Sequence, residues 1–370
     1  MKIAYCIHSL HNSGGMERVL TIKANALSAL SGCEVHIIAY GLKGRKPYFP
    51  LEPAVAVHDL GINERIRPVT FKRKLSKVLK TIRPDVTIGL SGAELRFLPD
   101  IDDGSAKIAE FHFSHEKFHL KYGRSRLGRI YAAYRTAQLE KQAARLDRFV
   151  VLTKEDLASW IKAVPQTVQI YNPLTFVSAE KAALEEKRCI ALGRLVYQKN
   201  FSDLVKAWAT VAKECPDWEL DIFGDGPLRK DLAAEISAAG LDGTVRLMGR
   251  TSDIQKQLLG SSCLVMSSRY EGFPMTLLEA AETGLPMVSY SCPQGPSEII
   301  QDGVNGYLVA PGDVDTLAER IISIIKDTDL RKEMGKKASL SAKAFSLDKI
   351  ISQWTDLCAE LRQGHSHSRP

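Results

Sequence analysis

The sequence predicts an α/β protein built from two doubly wound, parallel-sheet domains that face one another across a cleft. The first observation behind this prediction is the length of 370 residues, which exceeds the usual size of one hydrophobic core. The second is that short apolar runs alternate with segments of helical period, as in parallel sheets covered by helices. The third is that this alternation restarts after residue 172. Such sheets bind ligands beyond the carboxyl ends of their strands, which predicts a site in the cleft.

Residues 1–172 are predicted to form the first domain. Its strand segments are short and apolar, as expected for strands that are buried on both faces of a sheet. They are predicted at 3–7, 35–39, 55–60, 86–90, 108–111 and 149–152. Helical period follows a Gly-Gly turn as far as Leu30 and recurs over 71–82 and near 126–145.

Residues 173–344 are predicted to form the second domain, after a break marked by Asn172-Pro173 and the charged segment 179–188. Its strands are predicted at 189–192, 219–223, 245–248, 263–267, 287–290 and 307–309. Only helical patterns follow Asp313, as far as about residue 362. The polar, His- and Ser-rich residues 363–370 predict a disordered tail.

The composition predicts a soluble globular protein of the cytoplasm. Hydrophobic residues make up 45% and charged residues 25% of the chain. There is no apolar run of about 18 residues, and the amino terminus is too polar for a secretory signal. The seven cysteines are odd in number and include no Cys-x-x-Cys pair, so neither a disulfide framework nor a zinc site is expected. Most of them lie in apolar segments and are expected to be core thiols.

Positive charge is concentrated in the first half of the chain. Residues 1–170 hold 27 Lys and Arg against 16 Asp and Glu, whereas the remainder holds 23 against 27. This asymmetry indicates an anionic partner: a membrane surface, a phosphate group or nucleic acid. The helix at 71–82 carries an apolar stripe and a basic face formed by Lys72, Arg73, Lys74, Lys77 and Lys80. Nucleic acid is disfavoured because no aromatic platform accompanies these cations.

Two motifs of the first domain follow strands. Gly14 and Gly15 open a helix that carries Glu17 in its first turn, a position where glycines let backbone amides approach an anion or simply form a turn. His112 follows the strand at 108–111 and is a candidate for contact with a substrate hydroxyl. His115 and His119 follow at helical spacing. We expect ordinary polar side chains at the protein surface there and not a metal cluster, because no clear carboxylate or Cys ligand set accompanies them.

The motifs of the second domain are richer. Arg194 and Lys199 stand between a strand and a helix, where a planar guanidinium and a point charge would suit a diphosphate. Gly224 ends the next strand, and its lack of a side chain permits close approach to a ligand or a tight turn. Asp-x-Asp at 100–102 and 313–315 lies outside the strand-end motifs, so no metal site is predicted.

The segment 269–281 places Glu271 before a helix and Glu279 within it. Pro274 suits the start of a helix because it has no N–H to leave unpaired. The amides of Met275, Thr276 and Leu277 would then be unpaired and would favour an anion. Each carboxylate also has a simpler interpretation: Glu271 as a helix-start residue and Glu279 as a solvent-facing one.

Taken in order, these motifs resemble those of the retaining GT-B glycosyltransferases of family 4. The resemblance also includes Gly284-x-Pro and Asp302-Gly-x-Asn-Gly306, spans nearly the whole chain and is strongest over 189–313. The segments 15–18 and 292–298 are similar to those of bacterial members that build surface or lipid-linked glycans. Pro274 stands where many members have glycine.

The resemblance implies roles for individual residues. Arg194 and Lys199 would bind the donor diphosphate, Glu271 would lie near the donor sugar, and Glu279 would bind the nucleotide ribose. Further donor contacts are implied for Gly14, Gly15, Gly224, Arg250, Phe273, Pro274, Met275, Thr276 and Leu277. His112 would lie near the transferred sugar. The final helix, about 345–361, would cross back onto the first domain.

The expected activity is transfer of a hexosyl or N-acetylhexosaminyl group from a nucleotide-sugar, with UDP favoured, to a glycan acceptor with retention of configuration. Neither a metal nor another cofactor is expected. The acceptor is expected to be linked to undecaprenyl diphosphate, and the protein to lie peripherally on the inner face of the cell membrane. Glu17, Lys72, Arg73, Lys74, Lys77 and His115 are candidates for acceptor or membrane contacts.

Two other classes of protein stay open on the sequence. A UDP-sugar 2-epimerase can share the two-domain architecture and needs no acceptor. A basic nucleic-acid-binding protein would explain the charge of the first half of the chain but not the donor motifs.

Overall fold

The protein is described here from a computed structural model that covers residues 1–62, 68–90, 92–123 and 125–367, with side chains as far as residue 364. The chain forms two compact units. The first unit is Met1–Thr175 together with the final segment from Leu347, and the second unit is Phe176–Ser346.

The first unit is a seven-stranded parallel sheet with helices on both faces, and its strand order is β3-β2-β1-β4-β5-β6-β7. Its strands are β1 (Lys2–Ile7), β2 (Glu34–Ala39), β3 (Val55–Asp59), β4 (Val86–Gly89), β5 (Ala106–Phe111), β6 (Arg148–Val151) and β7 (Thr167–Gln169). Its helices are α1 (Gly15–Ser28), α2 (Pro68–Ile82), α3 (Lys117–Tyr122), α4 (Arg126–Ala143) and α5 (Lys154–Trp160), with 3-10 turns at Ala93–Arg96 and Leu98–Asp100.

The second unit is a six-stranded parallel sheet of strand order β10-β9-β8-β11-β12-β13. Its strands are β8 (Arg188–Leu192), β9 (Glu219–Phe223), β10 (Val245–Gly249), β11 (Cys263–Met266), β12 (Met287–Tyr290) and β13 (Gly306–Val309). Its helices are α6 (Phe201–Glu214), α7 (Arg229–Ala238), α8 (Ile254–Leu259), α9 (Met275–Glu282), α10 (Pro296–Ile299), α11 (Val314–Lys326) and α12 (Thr328–Ala342), followed by a 3-10 turn at Lys343–Phe345.

Both sheets have the Rossmann-like order in which the chain returns beside its first strand. The order reverses between β1 and β4 in the first unit and between β8 and β11 in the second. Loops at such a reversal diverge to opposite sides of the sheet and leave a crevice at the carboxyl ends of the strands. The predicted fold class is confirmed for each unit, and these two reversals locate the edges where ligand sites are expected.

Alternating burial explains why β1 lies inside its sheet. Ile3, Tyr5 and Ile7 join the core on one face, whereas Ala4 and Cys6 join the core on the other. The last helix, α13 (Leu347–His367), contributes to the first of these cores. Its apolar residues there are Ile350, Ile351, Trp354, Leu357, Cys358 and Leu361. The segment that follows the second unit along the chain therefore completes this core of the first unit.

The structure departs from the predicted elements at β7, at α2 and in the tail, and it adds the unpredicted helices α3 and α5. The short strand β7 follows the six strands predicted for the first unit, and α2 begins at Pro68 instead of residue 71. The backbone of residues 363–367 is helical as part of α13, where a disordered tail is predicted; residues 368–370 of that tail lie outside the described residues. All seven cysteines are free, and all but Cys33 are buried, as expected of core thiols.

Candidate functional site

The carboxyl edge of the second sheet holds an ion pair between Lys199 and Glu271. Lys199 follows β8 and Glu271 follows β11, the two strands that flank the reversal of strand order. Lys199 Nζ lies 2.7 Å from Glu271 Oε1, and the side chains are 17% and 8% exposed. Two residues predicted separately, for the diphosphate and for the sugar, are therefore in direct contact and remain partly open to solvent.

Gly193 and Gly224 let this edge close tightly. Gly224 has a φ of +145°, and a Cβ there would collide with the carbonyl oxygen of Gly193. A Cβ on Gly193 would in turn lie 3.0 to 3.1 Å from the aliphatic stem of Lys199. The close approach that Gly224 permits is thus between two protein loops. This close approach of the two loops fixes the backbone path near Lys199, whose side chain reaches Glu271.

A set of polar contacts holds the backbone at Lys199. Asn200 adopts a left-handed conformation with φ 51°, and its Nδ2 donates to Asp203 Oδ2 at 2.6 Å. Arg269 Nη2 donates to Asn200 Oδ1 at 2.5 Å, and Ser267 Oγ donates to the carbonyl of Lys199 at 3.0 Å. No sequence motif identifies Asn200, Arg269 and Ser267 as supports. The one available signal is the asparagine before a helix, since asparagine tolerates positive φ better than most residues.

The first turn of α9 differs from its predicted form. Pro274 is the residue before the helix, and its carbonyl accepts the N–H of Leu277 at 3.0 Å. The prediction that Leu277 offers an unpaired amide is therefore wrong. Met275 and Thr276 precede it and are partly exposed. Gly295, with a φ of +110°, packs so closely that a Cβ would collide with the ring of Pro274.

Buried side chains anchor the segment on both sides of Pro274. Phe273 is buried with its ring centre 5.8 Å from that of Phe345. Glu279, in the second turn of α9, is only 2% exposed, so the interpretation of it as a solvent-facing residue is wrong. Glu282 is also buried and accepts the N–H of Ser178 and an ion pair from Lys181, each at 2.9 Å. Glu282 therefore serves the local structure.

Arg194 and Arg250 complete the predicted cations of this edge. Arg194 follows Gly193 and is exposed, and no described residue forms an ion pair with it. Arg250 follows β10, and its side chain is 77% exposed with Nε 3.9 Å from Asp225 Oδ2. Both guanidinium groups extend from the same edge as Lys199. Binding of an anion would cost them little existing interaction energy within the protein. Surface pairs as long as that of Arg250 contribute little to stability.

In the first unit, His112 belongs to a buried charged cluster. His112 Nε2 lies 3.3 Å from Glu110 Oε1, and Lys23 Nζ lies 2.5 Å from the carboxylate of Glu110. The side chains of Lys23 and Glu110 are both 1% exposed. Lys23 Nζ also lies 4.3 Å from the centre of the Trp354 ring and 5.6 Å from that of Tyr5.

Charge pairing decides the ionisation of this cluster. Burial alone would raise the pKa of Glu110, but the charges and hydrogen bonds of Lys23 and His112 bring that pKa down to about 2. Burial lowers the pKa of Lys23, and Glu110 opposes that change. Glu110 is thus held as a carboxylate, which orients the His112 imidazole at the end of β5.

The sequence analysis gave no role to Lys23 or Glu110, although a signal for the lysine exists. Lys23 occupies a position on the apolar face of α1, together with Val19, Leu20, Ala24 and Leu27. A lysine on such a face calls for a buried partner. Glu94 was missed as well. It is fully buried in the 3-10 turn after β4 and accepts hydrogen bonds from the Tyr40 hydroxyl and the Gly92 amide, each at 2.9 Å.

His115 lies in different surroundings from His112. Its Nε2 lies 3.0 Å from Glu140 Oε1, its Nδ1 lies 3.5 Å from Glu116 Oε1, and its ring packs on Trp160 at 4.8 Å. Glu140 comes from α4, so spacing along the sequence does not reveal it. Two carboxylates thus contact His115. Even so, no group of three His, Cys, Asp or Glu suited to a metal ion occurs in the described part of the chain.

The glycine turn of the first unit is already occupied by a carboxylate. Gly14 is the residue before α1, and a Cβ there would collide with the carboxylate of Glu17. Asn12 Nδ2 donates to the same carboxylate at 3.3 Å. Gly15, in contrast, has open space where a side chain would stand. Any anion at this helix start would therefore have to displace Glu17 or approach beside Gly15.

The basic face of α2 is only partly free. Phe71, Leu75, Leu79 and Ile82 are buried, as the apolar stripe predicts. Lys72 Nζ lies 3.8 Å from Asp100 Oδ2, and Lys74 Nζ donates to the carbonyl of Leu60 at 2.9 Å. Arg73, Lys77 and Lys80 are exposed, without an ion pair among the described residues. No helix in the described ranges is long and apolar enough to cross a membrane.

Comparison with known proteins finds a family model that matches each unit. The family model described as Glycosyltransferase Family 4 matches residues 13–174, and the model described as Glycosyl transferases group 1 matches residues 176–340. Both models describe glycosyltransferases. They support neither an epimerase nor a nucleic-acid-binding protein.

Curated relatives match nearly the full length. An uncharacterized glycosyltransferase of Haemophilus influenzae is 27% identical over 95% of this chain and 98% of its own. The GalNAc-alpha-(1->4)-GalNAc-alpha-(1->3)-diNAcBac-PP-undecaprenol alpha-1,4-N-acetyl-D-galactosaminyltransferase of Campylobacter jejuni is 28% identical over 98% and 99%.

Solved structures share the fold at lower identity. S. aureus TarM, in a complex that includes UDP, superposes with a TM-score of 0.79 at 16% identity over 96% of this chain and 99% of its own. Anabaena HepE, in complex with UDP and glucose, superposes with a TM-score of 0.77 at 19% identity over 97% and 100%. The two family models adjoin one another along the sequence and correspond to the two units, and the chain belongs to the glycosyltransferases of family 4, with the GT-B type of fold.

Proposed function

We propose that this glycosyltransferase transfers a hexosyl or N-acetylhexosaminyl group from a UDP-sugar to a lipid-linked glycan acceptor, with retention of anomeric configuration. The observation that carries the proposal is the Lys199–Glu271 pair, held at 2.7 Å at the reversal of strand order in the second sheet. The names of the relatives support it, since the Campylobacter jejuni enzyme is named for an undecaprenol-linked acceptor and transfer of N-acetyl-D-galactosamine.

The chemistry requires the bond between the anomeric carbon and the diphosphate oxygen to break while a bond to the acceptor oxygen forms. Negative charge grows on the departing diphosphate. Lys199 and Arg194 would stabilise this charge, and fixed charges of this kind usually supply the largest share of catalysis. The start of α9 adds the positive end of its helix dipole. Glu271 pairs with Lys199, and the resemblance implies that it would lie near the donor sugar.

Retention follows if the acceptor attacks on the face from which the diphosphate leaves. The acceptor hydroxyl proton then passes to the departing diphosphate, so atoms and charge balance without a catalytic carboxylate pair. Arg250 and Glu279 keep the roles that the resemblance implies, at the base and the ribose. His112, oriented by Glu110, would contact the transferred sugar. We further propose that the reaction requires no metal ion.

The acceptor and the cellular location form the finer part of the proposal. An acceptor linked to undecaprenyl diphosphate would place the enzyme at the inner face of the cell membrane. Arg73, Lys77 and Lys80 on α2 supply an exposed basic face for anionic lipid. Lys72 and Lys74 contribute less, because each already has a partner within the protein.

A screen for donor hydrolysis over UDP- and GDP-sugars tests the proposal directly. We expect release of UDP from one UDP-hexose or UDP-N-acetylhexosamine, an α-anomeric product from an α-linked donor, and full activity in EDTA. An inverted product would overturn the retaining mechanism, and loss of activity in EDTA would overturn metal independence. Conversion of UDP-N-acetylglucosamine to an epimer in the absence of acceptor would overturn the transferase assignment.

A further inference from the structure

A pocket of about 600 Å³ opens in the first unit beside the carboxyl ends of β4 and β5. Its walls come from the 3-10 turn Ala93–Arg96, from α3 and from α4. The side chains that give it its character are Arg96, Phe111, Lys117, Phe118, Tyr131 and Arg135. Three of these are cations, and no Asp or Glu occurs among the described residues that line the pocket. Its walls therefore carry net positive charge.

Aromatic rings, and not carboxylates, hold two of these cations. Lys117 Nζ lies 3.7 Å from the centre of the Phe113 ring, and the Arg135 guanidinium lies 4.8 Å from that of Phe118. Arg135 Nη1 also donates to the Tyr131 hydroxyl at 3.0 Å. Neither cation has an ion-pair partner within the described ranges. Cation–π contacts leave the positive charge uncompensated. Binding of an anion in the pocket is therefore favourable.

The ionisation of Lys117 points the same way. Burial, followed by the nearby charges of Arg135 and Lys121, lowers the pKa of Lys117 to about 8. A bound anion would reverse the effect of the neighbouring cations and keep the ammonium charged. A diphosphate suits this pair, because the Arg135 guanidinium from α4 and the Lys117 ammonium from α3 can share its oxygens.

Helix α4, which carries Arg135, exposes a row of large apolar side chains. Along α4, Leu127 is 79% exposed, Ile130 62%, Tyr131 43% and Tyr134 58%. Their spacings of three and four residues place them along one side of the helix. Tyr131 and Tyr134 also line the pocket, so the apolar row is continuous with the basic walls. Tyrosines at such a boundary are typical of the membrane interface.

We propose that this pocket binds the diphosphate of a polyprenyl diphosphate lipid, while the apolar row of α4 contacts the bilayer. This inference rests on the proposed function for the class of acceptor. A free nucleotide or sugar phosphate would satisfy the cations but would leave the apolar row unused. A neutral lipid would satisfy the row alone. One amphipathic anion accounts for both features.

Direct binding to the full-length protein tests the pocket. Farnesyl diphosphate, farnesol and inorganic pyrophosphate are titrated by calorimetry in saturating UDP, which occupies any diphosphate site of the second unit. We expect farnesyl diphosphate to bind at least tenfold more tightly than pyrophosphate, and farnesol not to bind measurably. Equal affinity for pyrophosphate and farnesyl diphosphate would overturn the lipid assignment.

Variants separate the two parts of the proposed site. The double variant Lys117→Met with Arg135→Gln should weaken farnesyl diphosphate binding at least tenfold. The matched control is Lys162→Met, which removes the charge of an exposed lysine of the first unit that does not line the pocket and should leave binding within twofold. Wild-type affinity in the double variant, or an equal loss in the control, would overturn the assignment of the diphosphate to this pocket.

The apolar row is tested with Leu127→Ser plus Ile130→Ser. This pair should reduce co-flotation with phosphatidylcholine vesicles that contain farnesyl diphosphate, while pyrophosphate binding stays within twofold of wild type. Val177→Ser, at a valine of the second unit that is 79% exposed, is the matched control. Unchanged flotation of the double variant would overturn the role of the row.

These measurements separate failure of the pocket from failure of the enzyme assignment. The affinity for UDP reports on the second unit and should be the same in every variant above. If the wild-type protein turned over no UDP-sugar, the proposed function would be overturned, but the lipid-binding result would still hold. If the protein hydrolysed UDP-sugars but did not bind farnesyl diphosphate, only this inference would be overturned.

Discussion

Each unit of the protein contains a lysine–glutamate pair near the carboxyl edge of its sheet, and the two pairs are built differently. In the second unit, Lys199 and Glu271 are 17% and 8% exposed and come from two loops. In the first unit, Lys23 and Glu110 are each 1% exposed and come from α1 and β5. The open pair can exchange partners with an incoming ligand. The buried pair cannot do so without leaving a charge uncompensated in the protein interior.

Desolvation is the physical source of this difference. A buried charge costs several kcal/mol unless it keeps its partner, so removing one member of a buried pair is far more costly than removing the pair. Trp354 of α13 lies over Lys23 and seals it from solvent. Lys199 has no such cover and keeps some access to water. Under the proposed function, the first pair would orient His112 and the second pair would meet the donor.

The largest effect is expected from breaking the buried pair. Glu110→Ala should lower the free energy of unfolding by roughly 3–5 kcal/mol, because it leaves Lys23 buried and unpaired. Urea and thermal unfolding measure this change. The matched control is the double variant Lys23→Met with Glu110→Gln, which removes both charges and should lose less stability than the single variant. A single variant as stable as wild type would contradict the proposed difference between the pairs.

Breaking the open pair should affect activity far more than stability. We expect Lys199→Ala to reduce turnover about 10²–10³-fold, as for loss of one charge-stabilising donor in an active site. Lys206→Ala is the control, since Lys206 is an exposed lysine on α6 whose Nζ lies 3.7 Å from Asp203. Steady-state kinetics and thermal unfolding of both variants decide the matter. Near-normal transfer by the Lys199 variant would end the assignment of the diphosphate to this residue.

Acid should weaken the buried pair in a defined pH window. The folded pKa of Glu110 is held down at about 2, whereas the carboxyl of an unfolded Glu titrates near 4.3. A depressed carboxyl pKa stabilises the fold above the unfolded value, and this stability is lost as the pH falls from about 4.3 towards 2. The difference corresponds to about 3 kcal/mol. Urea unfolding at pH 5 and pH 2.5 should show a smaller loss for Glu110→Gln than for wild type; equal losses would disagree with this assignment.

The smallest effect is expected on the open surface of α2, where Arg73 and Lys77 are exposed and form no ion pair with any described residue. Arg73→Glu with Lys77→Glu should weaken binding to anionic vesicles by about 1 kcal/mol per site at low salt. Added salt should reduce that difference, and stability should change by less than about 0.5 kcal/mol. Vesicle sedimentation at two salt concentrations measures it, with Lys326→Glu on α11 as the control. Vesicle binding that does not respond to either change would argue against a basic membrane face.

Much of the donor edge can be predicted because its residues follow strands. Arg194, Lys199, Glu271 and Arg250 each come directly after a strand or between a strand and its helix, and parallel strands bring their carboxyl ends to one edge. Prediction fails where partners are remote. The hydrogen bond of the Leu277 amide depends on how the chain turns at Pro274, which a helix-start pattern does not specify.

The sequence by itself determined the alternation of strands and helices, the apolar stripe of α2 and the order of the motifs, because these depend on residues that are near neighbours along the chain. The tertiary structure alone decided which charges meet. Lys199 and Glu271 are 72 residues apart, and Lys23 and Glu110 are 87 apart. Their contacts require the strand order of each sheet, which local periodicity leaves open. Burial then sets what each pair can do: partial exposure leaves Lys199 available to a ligand, and the cover of α13 commits Lys23 to Glu110.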